Sequence, residues 1–318
     1  MTVSVVIATY NSAGYIDACL DALPEAADGV PLQVILVDSC SPDDTVARAA
    51  GHPEVEVHAL ADNVGFARSN NVGIRQASRE TLLLLNPDTV ARPRSIRILH
   101  EFLVGHPACA AVGPRLLDAD GHLQPSAGDL PTLIGTAAHA ATLNRLVPRD
   151  EARRAAWFAS LGRVLPRSAS RLADHGRARS CEVVWAAAVA LRREALERVG
   201  LLDEGTFMYG EENDLCARFK KDGWTVWFEP SATVLHYGGG AAPFRPVLAA
   251  SFYRSRLRYF ARNGSVAERL GAPLAVAVGL ALRPAVVGLA ERDASAAAAA
   301  ARFSAATGMR LLSAGRAL

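Results

Sequence analysis

Short apolar runs, each stopped by a polar turn and followed by helical spacing, recur through the first hundred residues. VSVVIA over 3–8 predicts a buried strand, TYNSAG a turn, and the spacing over 15–23 a helix. QVILV over 33–37 predicts a second strand, ending in DSCSPDDT before helical residues 45–50. A third strand is predicted over 55–60, after which DNVGFARSNNVG leads into a helix. TLLLL over 81–85 is a fourth strand that stops at NPDT. Apolar strands alternating with helices predict an α/β fold with a mostly parallel central sheet flanked by helices. Ligands bind such sheets beyond the carboxyl ends of the strands. Three of those ends carry Thr9, Tyr10 and Asn11; Asp38; and Asn86 with Asp88.

The pattern changes beyond the first hundred residues. Ala and Arg without a firm period, over about 130–180, read as an irregular or helical insertion. CEVVWAAAVALRR reads as one strand, followed by a helix near 194–199, the acidic stretch YGEENDLCAR, the strand WTVWFEP, and VLHYGGG. From His236 to Ala267 there is no acid but five arginines, at 245, 254, 256, 258 and 262. Residues 270–282 are apolar or small and are interrupted by Arg283 and Pro284. That is short of the ~20 residues a bilayer needs, so a packed or interfacial helix is expected. The Ala-rich end has helix-forming composition.

Composition narrows the function classes. With 318 residues, 50% hydrophobic and 21% charged, the chain can build one large or two modest cores. A net charge of +2 leaves no global footprint for nucleic acid, and no nucleic-acid partner is expected. The five cysteines form no CxxC pair, which argues against a disulfide framework or a zinc site. No charged and apolar leader precedes the first strand, so the cytoplasm is the expected compartment. GxGxxG, GxxxxGK[ST] and GxSxG are all absent, which removes the main support for dinucleotide, P-loop and hydrolase readings.

Single residues remain ambiguous at this level. Asp38 suits a nucleotide base or ribose and equally a turn cap. Asp88 suits a divalent ion that takes one or two carboxylates, or a plain Asx turn. His236 alone reads as a packed or capping histidine. Glu211, Glu212 and Asp214 sit between apolar flanks, where carboxylates must be paired, metal-bound or shifted in pKa.

Taken in order, VSVVIATYNSAGYI, ILVDSCSPDDT, DNVGFARSNNVGI, LLLLNPDT, VGLLDEGTFMYGEENDLCARFKKDGWTV and VLHYGGG resemble the family 2 glycosyltransferases. They are most similar to the bacterial rhamnosyltransferases of cell-wall and O-antigen assembly. The resemblance covers about 3–240, thinning over 130–180. It implies a GT-A domain over 1–240, its acceptor-side half over 110–240, and a basic and apolar helical extension over 241–318. It implies inverting transfer of a sugar, rhamnose by preference, from a nucleotide-diphosphate donor such as dTDP-rhamnose to a saccharide or polyprenyl-linked acceptor in cell-envelope polysaccharide synthesis. A divalent metal, Mg²⁺ or Mn²⁺, is the implied cofactor.

Residue by residue, the resemblance assigns Thr9, Tyr10, Asn11, Asp38, Arg68, Asn71 and Asn86 to the nucleotide sugar. Asp88, the last acid of the family's DxD motif with Asn86 at its first position, and His236 are assigned to the metal. Glu212 falls on the catalytic base, one methylene longer than the family's usual Asp. Glu211 is assigned either to a sugar hydroxyl or to the helix N-terminus. Asp214 and Arg218 are expected to pair at i and i+4. Ala186 stands where the family often has Gly. Two further expectations stay open. One is a non-catalytic sugar-nucleotide or glycan-binding relative, suggested by Asn86 and Glu212. The other is contact of the arginine and aromatic stretch FRPVLAASFYRSRLRYFARNG with the inner face of the cell membrane, weighed against ordinary packing.

Overall fold

A computed structural model of the protein describes residues 2–146, 176–238 and 246–313. Two compact units emerge. The first holds Met1–Asp129, Asp174–Phe207 and Glu211–Ala241; the second contains Leu130–Ala173, Met208–Gly210 and Ala242–Leu318.

The first unit is built on a ten-stranded mixed sheet. Its strands are β1 (Val3–Thr9), β2 (Leu32–Asp38), β3 (Val55–Ala59), β4 (Thr81–Leu85), β5 (Thr89–Ala91), β6 (Cys109–Leu117), β7 (Leu123–Gln124), β9 (Arg179–Cys181), β11 (Ala188–Arg192) and β12 (Thr225–His236). The order is β3-β2-β1-β4-β11-β6-β12-β5, with β7 beside β6 and β9 beside β12. A separate small sheet pairs β8 (Ala127–Gly128) with β10 (Val183–Val184). Strands β3, β2, β1 and β4 are mutually parallel, and β6 is parallel to β12, whereas β11 and β5 run antiparallel to their neighbours.

Around the sheet lie α1 (Ile16–Asp21), α2 (Leu23–Ala27), α3 (Thr45–Ala49), α4 (Phe66–Gln76), α5 (Ser95–Gly105), α7 (Arg193–Val199) and α8 (Glu211–Lys221). Val5, Ile7, Leu36 and Leu83 from the strands pack with Ile16, Leu20, Leu99 and Leu103 from the helices in one core. Helix α4 sits flush on the sheet because Gly73 has no side chain: a Cβ there would overlap Val6 Cγ1 and lie 3.3 Å from Val37 Cγ2.

CEVVWAAAVALRR does not form one strand. It divides into β9, β10 and β11 because each piece has a different neighbour: β12, β8, and β4 with β6 respectively. Conversely, WTVWFEP and VLH join in the single β12, with register shifts between Glu229 and Thr233.

The second unit comprises α6 (Leu133–Ala140), a 3-10 turn (Leu143–Leu146), α9 (Pro246–Asn263), α10 (Val266–Glu291) and α11 (Ala294–Leu312). The 130–180 insertion lies outside the described residues over 147–175, as does Arg245. Ala140, Ala249, Tyr253, Val276 and Leu280 form this unit's core. The expected break at Arg283 and Pro284 does not occur. Helix α10 runs through Pro273 and Pro284 for 26 residues, which makes it long and apolar enough to cross a membrane by length and composition. Each proline removes one backbone donor. The helix persists because Ser265 and Glu268 form a capping box at its start and Ala272, Val276, Leu280, Val286 and Val287 are buried along its inner side.

Gly73 supplies a test in which two effects oppose each other. Alanine favours helix over glycine by nearly 1 kcal/mol, but its methyl group has no room against Val6. Gly73→Ala is expected to lower stability in urea unfolding by about 1–3 kcal/mol. An unchanged or raised midpoint would contradict the seating of α4.

Candidate active site

Parallel register builds one wall of the site. Thr9 pairs with Asp38 across β1 and β2, so the Thr9 hydroxyl donates to Asp38 Oδ1 at 2.8 Å. Ser41 donates to the same carboxylate twice, from its hydroxyl to Oδ1 at 2.5 Å and from its backbone N–H to Oδ2 at 2.8 Å. Asp38, buried at the strand end, therefore closes its own turn and ties it to β1. A carboxylate has about four acceptor positions, so the three bonds leave capacity for one more donor. The two loops are also laced together. Asn11 N donates to Ser41 Oγ, Ser12 N to Thr45 Oγ1, and Ala13 N to Asp43 Oδ2. Asp43 is held below the usual carboxylate range, first by the Thr45 hydroxyl. Asn11 takes a positive φ of 53°, and Tyr10 is 48% exposed beside it. Ser41, Asp43 and Thr45 had only the look of a generic turn in DSCSPDDT; besides their bonds within that turn, each accepts a backbone N–H from a residue thirty or more positions away.

The NPDT turn forms the second wall. Antiparallel pairing of β12 with β5 sets His236 opposite Thr89, and Tyr237 N donates to the Asp88 carbonyl at 2.9 Å. His236 Nε2 consequently lies 3.5 Å from Asp88 Oδ1. The other ring nitrogen meets Gln124. Gln124 Nε2 donates to the His236 carbonyl at 2.9 Å, which fixes the orientation of the amide. Its Oε1, 2.9 Å from Nδ1, can only accept. Nδ1 must therefore carry the proton, and in the neutral ring the Nε2 lone pair is directed to the Asp88 side. Gln124 carries no signal in the sequence. A turn delivers it: Asp118 Oδ1 accepts from Asp120 N and His122 N, and β7 then returns along β6 with Gln124 opposite Leu116. The ligand atoms of Asp118, Asp120 and His122 lie within 4.8 Å of one another, at an exposed turn.

Asn86 shares this wall. Its backbone N–H donates to the Ala187 carbonyl, and its own carbonyl accepts from the Thr89 hydroxyl at 2.7 Å. The side-chain Oδ1 is buried with no hydrogen-bond partner. A buried acceptor without a donor is costly, and a cation would satisfy it. Asp88, His236 and Asn86 thus offer carboxylate, imidazole and amide-oxygen donors, a set that suits Mn²⁺ or Mg²⁺. The nearby Cys19 thiol is pushed up to about 12 by burial, so it stays protonated. All five cysteines are free.

The acidic cluster opens α8. Gly210, with φ 86°, and Tyr209, with φ 73°, turn the chain immediately before it. Glu211 is buried, whereas Glu212 is partly exposed and accepts from Asn213 Nδ2 at 3.3 Å. Asp214 pairs with Arg218 at 2.8 Å, both side chains largely buried. The same guanidinium donates to the carbonyls of Val199, Gly200 and Leu201 at 2.7–2.8 Å. Arg218 thereby caps α7 and locks it to α8.

Helix α4 holds the segment leading to these acids. Asn71 Nδ2 donates to the Leu202 carbonyl and to Glu204, and its Oδ1 accepts from Leu202 N. Arg75 and Arg68 pair with Glu204 at 2.9 and 3.4 Å, and Phe66 N donates to the Phe207 carbonyl. Asn71, expected at the nucleotide sugar, has its amide engaged in this loop. Three exposed aromatic rings, Tyr10, Trp185 and Tyr237, follow strand ends in this unit, and Tyr237 lies 5.8 Å from the Tyr15 ring.

This fold, with its polar groups on the carboxyl edge of the sheet, is that of the GT-A glycosyltransferases. A mannosyltransferase from Pyrobaculum calidifontis, solved with GDP-Man and Mn²⁺, superposes with a TM-score of 0.58 at 18% identity, covering 99% of this chain and 88% of that one. GalNAc-T7 with UDP, GalNAc and Mn²⁺ superposes at 0.55 and 13% identity, over 82% of this chain and 48% of that one. The sequence profile of glycosyl transferase family 2 matches residues 4–200, and the chain belongs to that family. The N-acetylglucosaminyl-diphospho-decaprenol L-rhamnosyltransferase of Mycobacterium tuberculosis is 31% identical over 247 residues, 73% of this chain and 75% of the relative. A low-salt glycan biosynthesis hexosyltransferase of Haloferax volcanii is 24% identical over 69% of this chain and 62% of its own length.

Removing the buried Arg218 strands Asp214 and three carbonyl groups. Arg218→Met is expected to lose about 3 kcal/mol in denaturant unfolding, and markedly less in an Asp214→Asn background. Strict additivity in that cycle would show that the pair is not coupled.

Proposed function

We propose that this glycosyltransferase inverts the anomeric centre while moving a sugar, L-rhamnose in preference, from a nucleoside-diphosphate donor to a polyprenyl-linked saccharide acceptor of the cell envelope. The carrying observation is the approach of His236 to Asp88, with the unpartnered Asn86 oxygen two residues before Asp88 in the same turn, at the sheet edge where Asp38 also lies. The decaprenol-linked substrate named for the mycobacterial relative supports the acceptor class, and the Mn²⁺ complexes of the fold neighbours support a divalent ion.

In this reading the base and ribose meet Tyr10, Asn11, Thr9 and the remaining acceptor capacity of Asp38. The exposed rings of Tyr10 and Tyr237 offer stacking faces. Arg68, exposed on α4, supplies positive charge near the donor. Asn71 contributes through the loop it holds. Asp88, His236 and Asn86 would hold Mg²⁺ or Mn²⁺, and the ion would offset the charge that develops on the departing diphosphate.

Glu212 takes the acceptor hydroxyl proton as that oxygen attacks C1 from the face opposite the diphosphate. Its partial exposure suits a group that must reach an incoming substrate. Glu211, buried in the first turn of α8, sits where a negative charge is favourable and orients the turn that presents Glu212.

Gln124 acts on the same site through His236. Gln124→Met removes the acceptor from Nδ1 and frees the ring to change tautomer, so Mn²⁺ affinity by calorimetry is expected to fall about 10-fold or more. Gln124→Glu, which keeps an acceptor, should recover part of it. If His236→Ala weakens Mn²⁺ but Gln124→Met does not, the clamp is irrelevant; if neither does, His236 is not a ligand.

Turnover with a panel of nucleotide sugars, dTDP-rhamnose among them, tests the chemistry. Asp88→Ala and Glu212→Gln are each expected to reduce transfer by at least 100-fold, with donor binding retained in Glu212→Gln. Undiminished transfer in Glu212→Gln would remove it as the base. Tight donor binding by the unmodified protein, with neither transfer nor donor hydrolysis, would indicate the binding-only relative.

A further inference from the structure

The stretch of α9 rich in arginine and aromatic residues does not itself present an apolar face. Tyr253, Tyr259 and Phe260 are buried, and Phe252 carries the Arg256 guanidinium 4.9 Å above its ring. The unit's exposed apolar surface lies elsewhere. Among the described residues, sixteen large apolar side chains are exposed; eleven belong to this unit and six to α10 alone. Leu270, Leu274, Val278 and Leu282 recur every four residues, with Val266 before them and Leu289 beyond. Leu270 and Leu289 are each more than 70% exposed. Between them the outward positions are filled by Pro273, Ala277, Ala281 and Ala285, so no charged group interrupts the face.

We propose that this outer face of α10 lies in the plane of a membrane, on an anionic lipid surface. Charge selects the occupant. The unit's described residues hold ten arginines against three acids; the acids, Glu268, Glu291 and Asp293, flank Arg269 and Arg292 at the two ends of the helix, so the cationic excess is carried by the unit as a whole. An apolar helix face on a unit with a net cationic excess is the pattern of interfacial helices. A second copy of the chain, docked by a two-fold axis, would instead bring that cationic excess against itself.

The helix lies on the bilayer rather than crossing it, despite its length of about 39 Å at ~1.5 Å per residue. Its inner side is committed to the unit: a Cβ at Gly279 would lie 2.5 Å from the Ala137 carbonyl and from Ala140 Cβ. Arg283, in the middle of the helix, sits over the Phe303 ring at 4.1 Å. Extraction into a spanning position would break this packing and carry a guanidinium into hydrocarbon. This inference rests on the surface of the second unit and is independent of the sugar-transfer reading.

Flotation of the full chain with vesicles tests it. The protein is expected to float with phosphatidylglycerol-containing vesicles, weakly with pure phosphatidylcholine, and less as salt rises. The double variant Leu274→Glu with Leu282→Glu should cut the floated fraction at least 10-fold. Val104→Glu, at an exposed apolar site of the first unit, should leave it unchanged. Hydrogen exchange on the unmodified chain gives a second readout that needs no variant: protection over 266–291 with anionic vesicles is expected. Absence of flotation would overturn the proposal, as would protection confined to other segments. So would a lipid-free dimer that the double variant turns into monomer, which would assign the face to a second copy.

Discussion

Parallel pairing of β1 with both β2 and β4 is the constraint on which the site depends. It carries the carboxyl ends of three strands to one edge, so that Thr9, Asp38 and the NPDT turn share a rim although they are separated by up to eighty residues of chain. The second half of the unit reaches the same rim by a different route. Strand β11 enters antiparallel between β4 and β6, and β12 then runs parallel to β6 and delivers His236 opposite Thr89. Antiparallel pairing of β12 with β5 then sets the histidine beside Asp88.

Along this rim the buried carboxylates of the turns find partners, while the Asn86 side-chain oxygen has none. Asp38 and Asp43 are held by hydroxyls and backbone N–H groups of their own turns, and Asp214 by Arg218. Desolvated carboxylates need such partners, and the partners also make the loops stiff. Rigidity matters for transfer chemistry, because the donor and the base must be held in register to well under an ångström or two. Arg218 illustrates the economy of the arrangement: one guanidinium closes α7 and pairs with α8, the helix whose first turn carries Glu212.

The second unit uses arginine differently. Its helices are apolar on the inner side, and Arg256 and Arg283 lie over aromatic rings within the unit. His139, stacked on Phe252, is pushed down to about 4 by burial and by the neighbouring Arg256 and Arg283. It therefore adds no positive charge near neutral pH, and the cationic character of this unit comes from arginine alone.

The first hundred residues fixed their own strands and helices, because periodicity of apolar positions is a local signal and burial enforces it. The same locality made Asp214 and Arg218 legible as an i, i+4 pair. Ordered motifs identified the family and assigned Asp38, Asp88 and His236 to a donor site. Asp38 then proved to be engaged as the cap of its own turn, with capacity for a ligand remaining. Other features had no local signature. CEVVWAAAVALRR broke into three strands because each segment found a different neighbour, and α10 continued past Pro284 because its inner face is buried. Gln124, more than a hundred residues from His236, became its clamp only through β6–β7 pairing. Sequence determined what each segment favours within reach of its own neighbours; tertiary structure decided which distant groups satisfy one another, because hydrogen bonds and packing act through space and not along the chain.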